Sequence, residues 1–408
     1  MRALFQLAEL RAFLVAAALA GLAESALAVL LGVHVYEIAH DPLNLGWLGL
    51  VEAVPAIGLV LVGGAVADRA PRRDLAAGAR GVMAVLVAVL ALAAPYGGLP
   101  LIYGVAFLIG AIRAFEEPSV TGLEAEILPR VGMLHAVSLV AAVSRVSTLA
   151  GPVLGGVLFA AIGPAGAYAL VACCLAAAAL TMRLAIPARP APPIGAPGRE
   201  GMFGAIMEGL RYVFTRQVIV GSMALDLFAV FFGGVAGLLP VFADDILHTG
   251  PAGVGWLRAA ASAGALAAML VATRHPPRGR AGVVLHLAIA GFGLGIIVFA
   301  FSRSLALSMA ALAFAGGCDG IGVVIRRAIV RLAAPDALRG RVAAVRGLFL
   351  NASNELGDFE SGVAASLLGA VPAVWLGGVI TLAVVAVTAW RAPKLRRLDL
   401  RAMENGRS

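Results

Sequence analysis

Gly63-Gly64-Ala65-Val66-Ala67-Asp68-Arg69-Ala70-Pro71-Arg72-Arg73 is a short polar stretch between two long apolar runs. It places one carboxylate, Asp68, and three guanidiniums, Arg69, Arg72 and Arg73, at the end of an apolar helix, with Gly64 one turn before. Such a cluster reads as a charged latch at a membrane surface. The plainer alternative is an ordinary basic loop that sets orientation.

The rest of the chain supplies the membrane. It is 61% hydrophobic and 13% charged, against about 45–50% and about 25% in soluble domains. A soluble fold of 408 residues has no way to hide so much apolar surface. Lipid is therefore the expected solvent. Apolar spans recur at 12–35, 44–66, 77–96, 100–123, 135–161, 165–186, 217–243, 252–273, 281–301, 305–327, 341–369 and 373–391. Most approach the ~20 residues that carry a helix across ~30 Å of hydrocarbon. The pattern predicts an all-α integral membrane protein of twelve transmembrane helices. A transmembrane barrel would instead show weak alternation in ten-residue segments. The first run continues too long for a cleavable signal peptide and lacks a clear small-residue cleavage site.

A formal net charge of +8 raises the question of nucleic acid, and its placement answers it. With both termini in the cytoplasm, all but five of the 31 Lys and Arg fall on cytoplasmic segments. Arg303 falls outside; Arg113, Arg145, Arg258 and Arg346 fall within spans. Outer loops carry acids such as Asp41, Asp244 and Asp245. This is the positive-inside distribution of an inner-membrane protein, and no basic soluble face remains for nucleic acid.

Catalytic motifs do not emerge. Cys173, Cys174 and Cys318 lie in predicted helices without metal-ligand spacing. Lys394 is the single lysine, and a Walker A loop needs its Lys beside Ser or Thr. Gly291-Phe292-Gly293-Leu294-Gly295 sits inside an apolar span, where glycines serve helix packing. No metal, cofactor or enzymatic activity is expected.

Residues 187–199 are proline-rich and cannot span, so they read as a cytoplasmic linker. Phe203, Ile206, Met207, Leu210 and Phe214 then recur on one helical face, as in an interfacial helix. The predicted domains are 1–186, a linker with this helix over 187–216, a second bundle over 217–391, and a tail over 392–408. The halves echo one another. Gly46-Trp47-Leu48 matches Gly255-Trp256-Leu257, and Gly151-Pro152-Val153-Leu154-Gly155-Gly156 matches Gly357-Asp358-Phe359-Glu360-Ser361-Gly362. Two pseudo-symmetric six-helix bundles with a central site follow from such parallel repeats.

Gly64, Asp68, Arg69, Arg72 and Arg73 resemble the loop between helices 2 and 3 of major facilitator superfamily transporters, G-x-x-x-D-R-x-G-R-[RK], with Pro71 in place of the second Gly. Gly151, Pro152, Gly155 and Gly156 resemble the helix 5 signature of proton-driven antiporters in that superfamily, with Ser147 at its upstream Gly. Small residues there also serve plain helix packing. Arg113-Ala114-Phe115-x-x-Pro118, Leu128-Pro129, Leu239-Pro240-Val241-Phe242-Ala243-Asp244 and Leu338-Arg339-Gly340-Arg341-Val342 are similar to the branch that includes bacterial enterobactin exporters. The resemblance implies a fold in which helices 1, 4, 7 and 10 line a cavity. One fold carries many cargoes, so it names no substrate.

Charges within spans are the best local clue to function. Arg113, Glu116 and Glu117 share one side of the fourth span. They form either a switch near the cavity or a static intrahelical salt bridge. Asn351, Asn354, Glu355 and Asp358 make a polar stripe on the eleventh, where by the repeat offset Asn351 matches Arg145 of the fifth. That stripe either meets substrate or zips helices together, and the structural reading is favoured. Glu24, Asp226 and Asp319 fall on the three helices that, with the fourth, the resemblance assigns to the cavity. Glu24 is the first candidate for carrying a proton. Glu52 and Arg258 lie at similar depth on spans 2 and 8, where they can pair as an outer gate.

The reading is a secondary active transporter that exports a small molecule, a siderophore or drug-like compound, by proton antiport and alternating access. An excess of interior acids suits protons and cationic cargo. The alternatives are an uptake or lipid-type transporter of the same fold, or a transport-inactive sensor or assembly subunit. Expected partners are a small-molecule substrate, protons and the lipid bilayer. The chain is expected to act as a monomer.

Overall fold

Runs rich in Ala, Leu, Val and Ile satisfy their own backbone hydrogen bonds only as helix when lipid surrounds them. The computed structural model of the chain describes residues 8–128, 133–190, 202–275, 279–333 and 339–401, and every regular element among them is helical. The long helices are α1 (Ala8–Ala39), α2 (Pro42–Ala67), α3 (Arg72–Ala93), α4 (Leu99–Ile127) and α5 (Met133–Ala185). After α6 (Met202–Thr215) come α7 (Gln217–Gly233) and the short α8 (Leu239–Val241). Then follow α9 (Gly250–Arg274), α10 (Ala281–Phe301), α11 (Leu305–Ala333), α12 (Arg339–Leu368), α13 (Ala370–Arg391) and the short α14 (Pro393–Arg396).

Ten helical stretches among the described residues are long and apolar enough to cross a membrane. Eleven of the twelve expected spans fall in this set. α5 holds two of them, broken at Gly163, whose φ of 69° favours glycine and reverses the chain between the two. α12 is the expected eleventh span; its polar stripe keeps it out of the ten.

The expected single helix over 217–243 is corrected. α7 stops at Gly233, a 3₁₀ turn follows at Ala236–Leu238, and a π turn at Phe242–Ile246. Gly234 is extended there and Pro240 lacks an N–H, so no regular helix passes through. α12 repairs the exposed backbone. Gly237 N–H donates to Asp358 Oδ1 at 3.1 Å, Ser361 Oγ donates to Gly234 O at 3.1 Å, and Ser353 Oγ donates to Leu227 O at 2.8 Å. Non-helical backbone survives at membrane depth only when protein supplies such partners.

The described residues cluster into two compact units. Those up to 190 together with 248–259 form one; those at 202–247 and from 260 onward form the other. In the first, α1 lies along α5, α2 along α4, and α3 against both α4 and α5. Gly155 lets α1 come so close that a Cβ there would lie 2.7 Å from Ala26 O. Gly151 likewise sits 2.5 Å, by its missing Cβ, from Ser25 Cβ. His34 Nδ1 and the Tyr168 hydroxyl, 3.2 Å apart, join α1 to the second half of α5. In the second unit α10 packs on α11 and α13, and α12 and α13 pack on α7. Its core takes in Leu395, Leu398 and Leu400, and Gly282 N–H donates to Leu398 O at 3.1 Å. The described part of the expected tail thus packs on this bundle.

The helix expected after the linker is present as α6. Val213 is buried with Ile219, Val330 and Val342, while Met207 and Phe214 stay exposed. Pro129, Pro192, Pro193, Pro197 and Leu338 lie outside the described residues, as do the side chains of Phe203, Ile206, Arg346, Asn351 and Glu355.

Candidate functional site: an acidic cavity in the first bundle

α1 and α4 each present one helical face to a cavity of about 390 Å³ inside the first unit. α1 contributes Phe13, Ala17, Gly21 and Glu24, spaced three or four residues apart. α4 contributes Arg113, Glu116, Glu117, Val120 and Glu124, again on one side. α3 adds Arg80, and α5 adds Val140 and Ser144. Pro118 helps shape this wall. It lacks the N–H that Ala114 O would accept, and the freed carbonyl lies against Gly63 of α2. Ser119 Oγ donates to Phe115 O at 2.6 Å one residue on.

The wall carries four glutamates and two arginines. Both arginines are engaged. Arg113 pairs with Glu52 of α2. Arg80 Nε donates to Glu116 Oε1 at 2.7 Å, and both side chains are 6% exposed. Arg80 Nη1 also donates to Met182 Sδ at 3.0 Å. Glu24, Glu117 and Glu124 make no hydrogen bond or ion pair with the described residues. The cavity therefore holds three carboxylates with no direct ion pair among the described residues, beside apolar side chains of Phe13, Val120 and Val140. Carboxylates in such a setting bind protons, or the positive end of a ligand with an apolar body.

These pairings correct two expectations. Arg113 forms no salt bridge along α4 with Glu116 or Glu117; it reaches across to α2, and Glu116 reaches to α3. Glu52 accordingly belongs to Arg113 and forms no gate pair with Arg258. The reason is geometric. A buried charge is best neutralised by a partner on a packed neighbour, which approaches from the side, whereas a partner one turn away is held at the helix surface.

Arg80 was counted with the cytoplasmic charges and is buried instead. A signal was available, since Arg80 falls on the same face of α3 as Ala76, Ala77, Met83, Ala84 and Val87, all buried. Arg326 is the parallel case in the second unit. It is 2% exposed, and its Nη2 lies 2.8 Å from Asp226 Oδ1 and 3.0 Å from Asp319 Oδ1. Its Nε and Nη1 find no acceptor among the described residues. Asp226 and Asp319 are thus brought together, by a cation that was counted with the cytoplasmic charges. Arg145 makes no ion pair with the described residues, and Asn354 is exposed.

The charged stretch after α2 is built into its own bundle. Arg72 Nη1 lies 3.1 Å from Glu126 Oε1 and donates to Gly122 O at 3.2 Å. Arg73 lies 2.5 Å from Asp74 and donates to Ile186 O at 3.0 Å. Arg189 extends the array to Glu9 at 2.6 Å. Asp68 is 79% exposed, 4.0 Å from Arg72, and Arg69 is exposed. Gly64 has open space where a Cβ would stand.

The comparisons agree with this architecture. The multidrug efflux pump Tap of Mycolicibacterium fortuitum is 28% identical over 376 residues, 86% of this chain and 88% of Tap. The enterobactin exporter EntS of Escherichia coli O139:H28 is 26% identical over 351 residues, 85% of this chain and 81% of EntS. Among solved structures, a mutant of the nucleoside transporter NupG superposes with a TM-score of 0.76 at 12% identity, covering 95% of this chain and 99% of NupG. An inward-facing bacterial homologue of the lysosomal transporter Spinster superposes with a TM-score of 0.72 at 15% identity, covering 98% of each chain. These two establish the fold alone. The model of the transmembrane secretion effector family matches residues 5–406, and the chain belongs to that family, within the major facilitator superfamily of membrane transporters.

Proposed function

We propose that this protein is a proton-coupled antiporter of the bacterial inner membrane. It exports a small molecule by alternating access, acts as a monomer and keeps both termini in the cytoplasm. The observation that carries this reading is Glu24. Its carboxylate lines an acidic cavity and has no hydrogen-bonding or ionic partner among the described residues. A group so placed can hold a proton at low energetic cost and lose it when water enters. Export as the direction is supported by the names of the two relatives, a drug pump and a siderophore exporter.

The cavity chemistry favours a drug-like molecule with a positive end. Three unpaired carboxylates repel an anionic chelator, and the apolar side chains suit a lipophilic body. Siderophore export remains the second reading, on the strength of the EntS similarity. The exposed Asp68 and the arginines beside it stabilise one state of the transport cycle over another, as a latch must.

Proteoliposomes with an imposed pH gradient test the proposal. Ethidium, a lipophilic cation, should move against protons in wild-type vesicles, and Glu24→Gln should abolish that exchange while the protein still folds. Full exchange by Glu24→Gln would remove Glu24 from the coupling step. If ethidium is not moved at all, metabolite profiling of culture medium under iron limitation decides cargo. Loss of an iron chelator from the medium of a deletion strain would establish siderophore export.

A further inference from the structure

The buried pair Arg80–Glu116 shares the cavity with Glu24, and nothing in the transport reading above uses it. The pair is unusual in how little holds the cation. A guanidinium offers five N–H groups. One meets a carboxylate oxygen of Glu116 at 2.7 Å, and another meets only the Met182 sulfur, a weak acceptor, at 3.0 Å. The site also offers the cation other carboxylates. Glu24 on α1 and Glu117 and Glu124 on α4 line the same cavity without partners. The other wall cation, Arg113, is held by Glu52 of α2, and α5 contributes only Val140 and Ser144. Glu24 lies within electrostatic reach of Glu116, Arg113, Arg80 and Glu117.

We infer that Arg80 is a mobile counter-charge that exchanges between Glu116 and Glu24 and thereby couples the two carboxyls. The inference rests on the reading that Glu24 carries the proton. An arginine cannot deprotonate and must stay beside an acid when buried. While Glu24 is protonated, Arg80 rests on Glu116, as in this structure. When the Glu24 O–H bond breaks, Arg80 turns to the new carboxylate. The released proton passes through cavity water to Glu116, which is left without a cation and takes it up as its own O–H forms. Charge in the cavity is the same before and after. The proton has in effect moved from the α1 side to the α4 side. Arg80 touches neither cargo nor proton in this scheme and acts by positioning.

The test needs no cargo. Infrared difference spectra of the full chain in phospholipid vesicles, with Glu24→Gln as the subtraction reference, isolate the Glu24 carboxyl band across pH. Glu116→Gln keeps the shape of the side chain and releases Arg80. A direct guanidinium beside a carboxylate moves its titration by one to three units. The expected result is therefore a shift of the band's pH profile toward acid by about one unit or more. Adding Arg80→Gln to that variant should reverse the shift. If the double variant does not insert, Arg80→Met with Glu116→Met replaces the pair by apolar side chains, and the same reversal is expected. A smaller shift, or one that losing Arg80 does not reverse, would overturn the exchange. No Glu24 band between about pH 5 and pH 9 would instead sink the proton-carrier reading itself.

Discussion

Among the described residues each bundle buries one arginine, and the two are treated differently. In the first, Arg80 meets a single acid while three further carboxylates stand unpaired around a cavity. In the second, Arg326 is covered by two aspartates, Asp226 and Asp319. The same ingredients, a guanidinium and acids inside the membrane, give an open titratable site in one case and a closed clasp in the other. What decides is the ratio of acids to cations and whether a void adjoins them. A clasp holds α7 to α11. An open site can change protonation without losing its helix contacts.

Removing the clasp's cation should have the largest effect on stability. Arg326→Met leaves two acids facing one another, one of them buried, and should cost about 3–5 kcal/mol or prevent accumulation in the membrane. Thermal unfolding of the purified protein in detergent measures it. If Arg326→Met is as stable as wild type, the triad is not a clasp, and the contrast between the bundles fails.

The two aspartates sharpen the comparison. Asp226 is 7% exposed and Asp319 is 38% exposed. Asp226→Asn should therefore destabilise by about 2–4 kcal/mol, and Asp319→Asn by less than about 1 kcal/mol, because solvent already screens that side. Equal losses would show that Arg326 does not distinguish them. Between these lies Gly155→Leu. Its side chain would enter the backbone of Ala26, and a loss of about 1–3 kcal/mol is expected from the opened α1–α5 seam. Comparable melting of that variant and wild type would separate the helix 5 motif from packing.

The smallest stability change belongs to the loop from which the fold was first read. Asp68→Asn alters an exposed side chain 4.0 Å from its nearest cation, so unfolding should stay within about 0.5 kcal/mol of wild type. Ethidium exchange by the same protein should nonetheless be lost, because the proposed latch would act on the balance between transport states. Normal exchange by Asp68→Asn would leave the stretch as a clamp within its bundle and nothing more.

Much of this was legible in the residues. The polar break at 63–73 between apolar runs implied helices in lipid, and the family model covers the chain almost end to end. Glu24, Arg113, Glu116, Glu117, Asp226 and Asp319 were singled out because buried charges in a membrane demand a reason; the first four line one cavity in the first bundle, and the two aspartates meet Arg326 in the second. Arg80, Arg326 and Glu124 were missed, the first two because a basic residue near a helix end passes for a loop charge. The interruption after Gly233 was missed for a different reason. Its stability comes from Asp358, Ser361 and Ser353, which lie over a hundred residues away.

The sequence by itself determined the solvent, the helical class and which side of each helix carries charge, because these follow from composition and a period of 3.6 residues. The partners of those charges were decided by tertiary structure alone. A helix offers Glu116 to one side, but only the packing of α3 brings Arg80 there instead of leaving Arg113 as the nearest cation. Ion pairs across helices depend on a few ångströms of lateral distance and on the axial offset between neighbours. Neither is a property of any one helix.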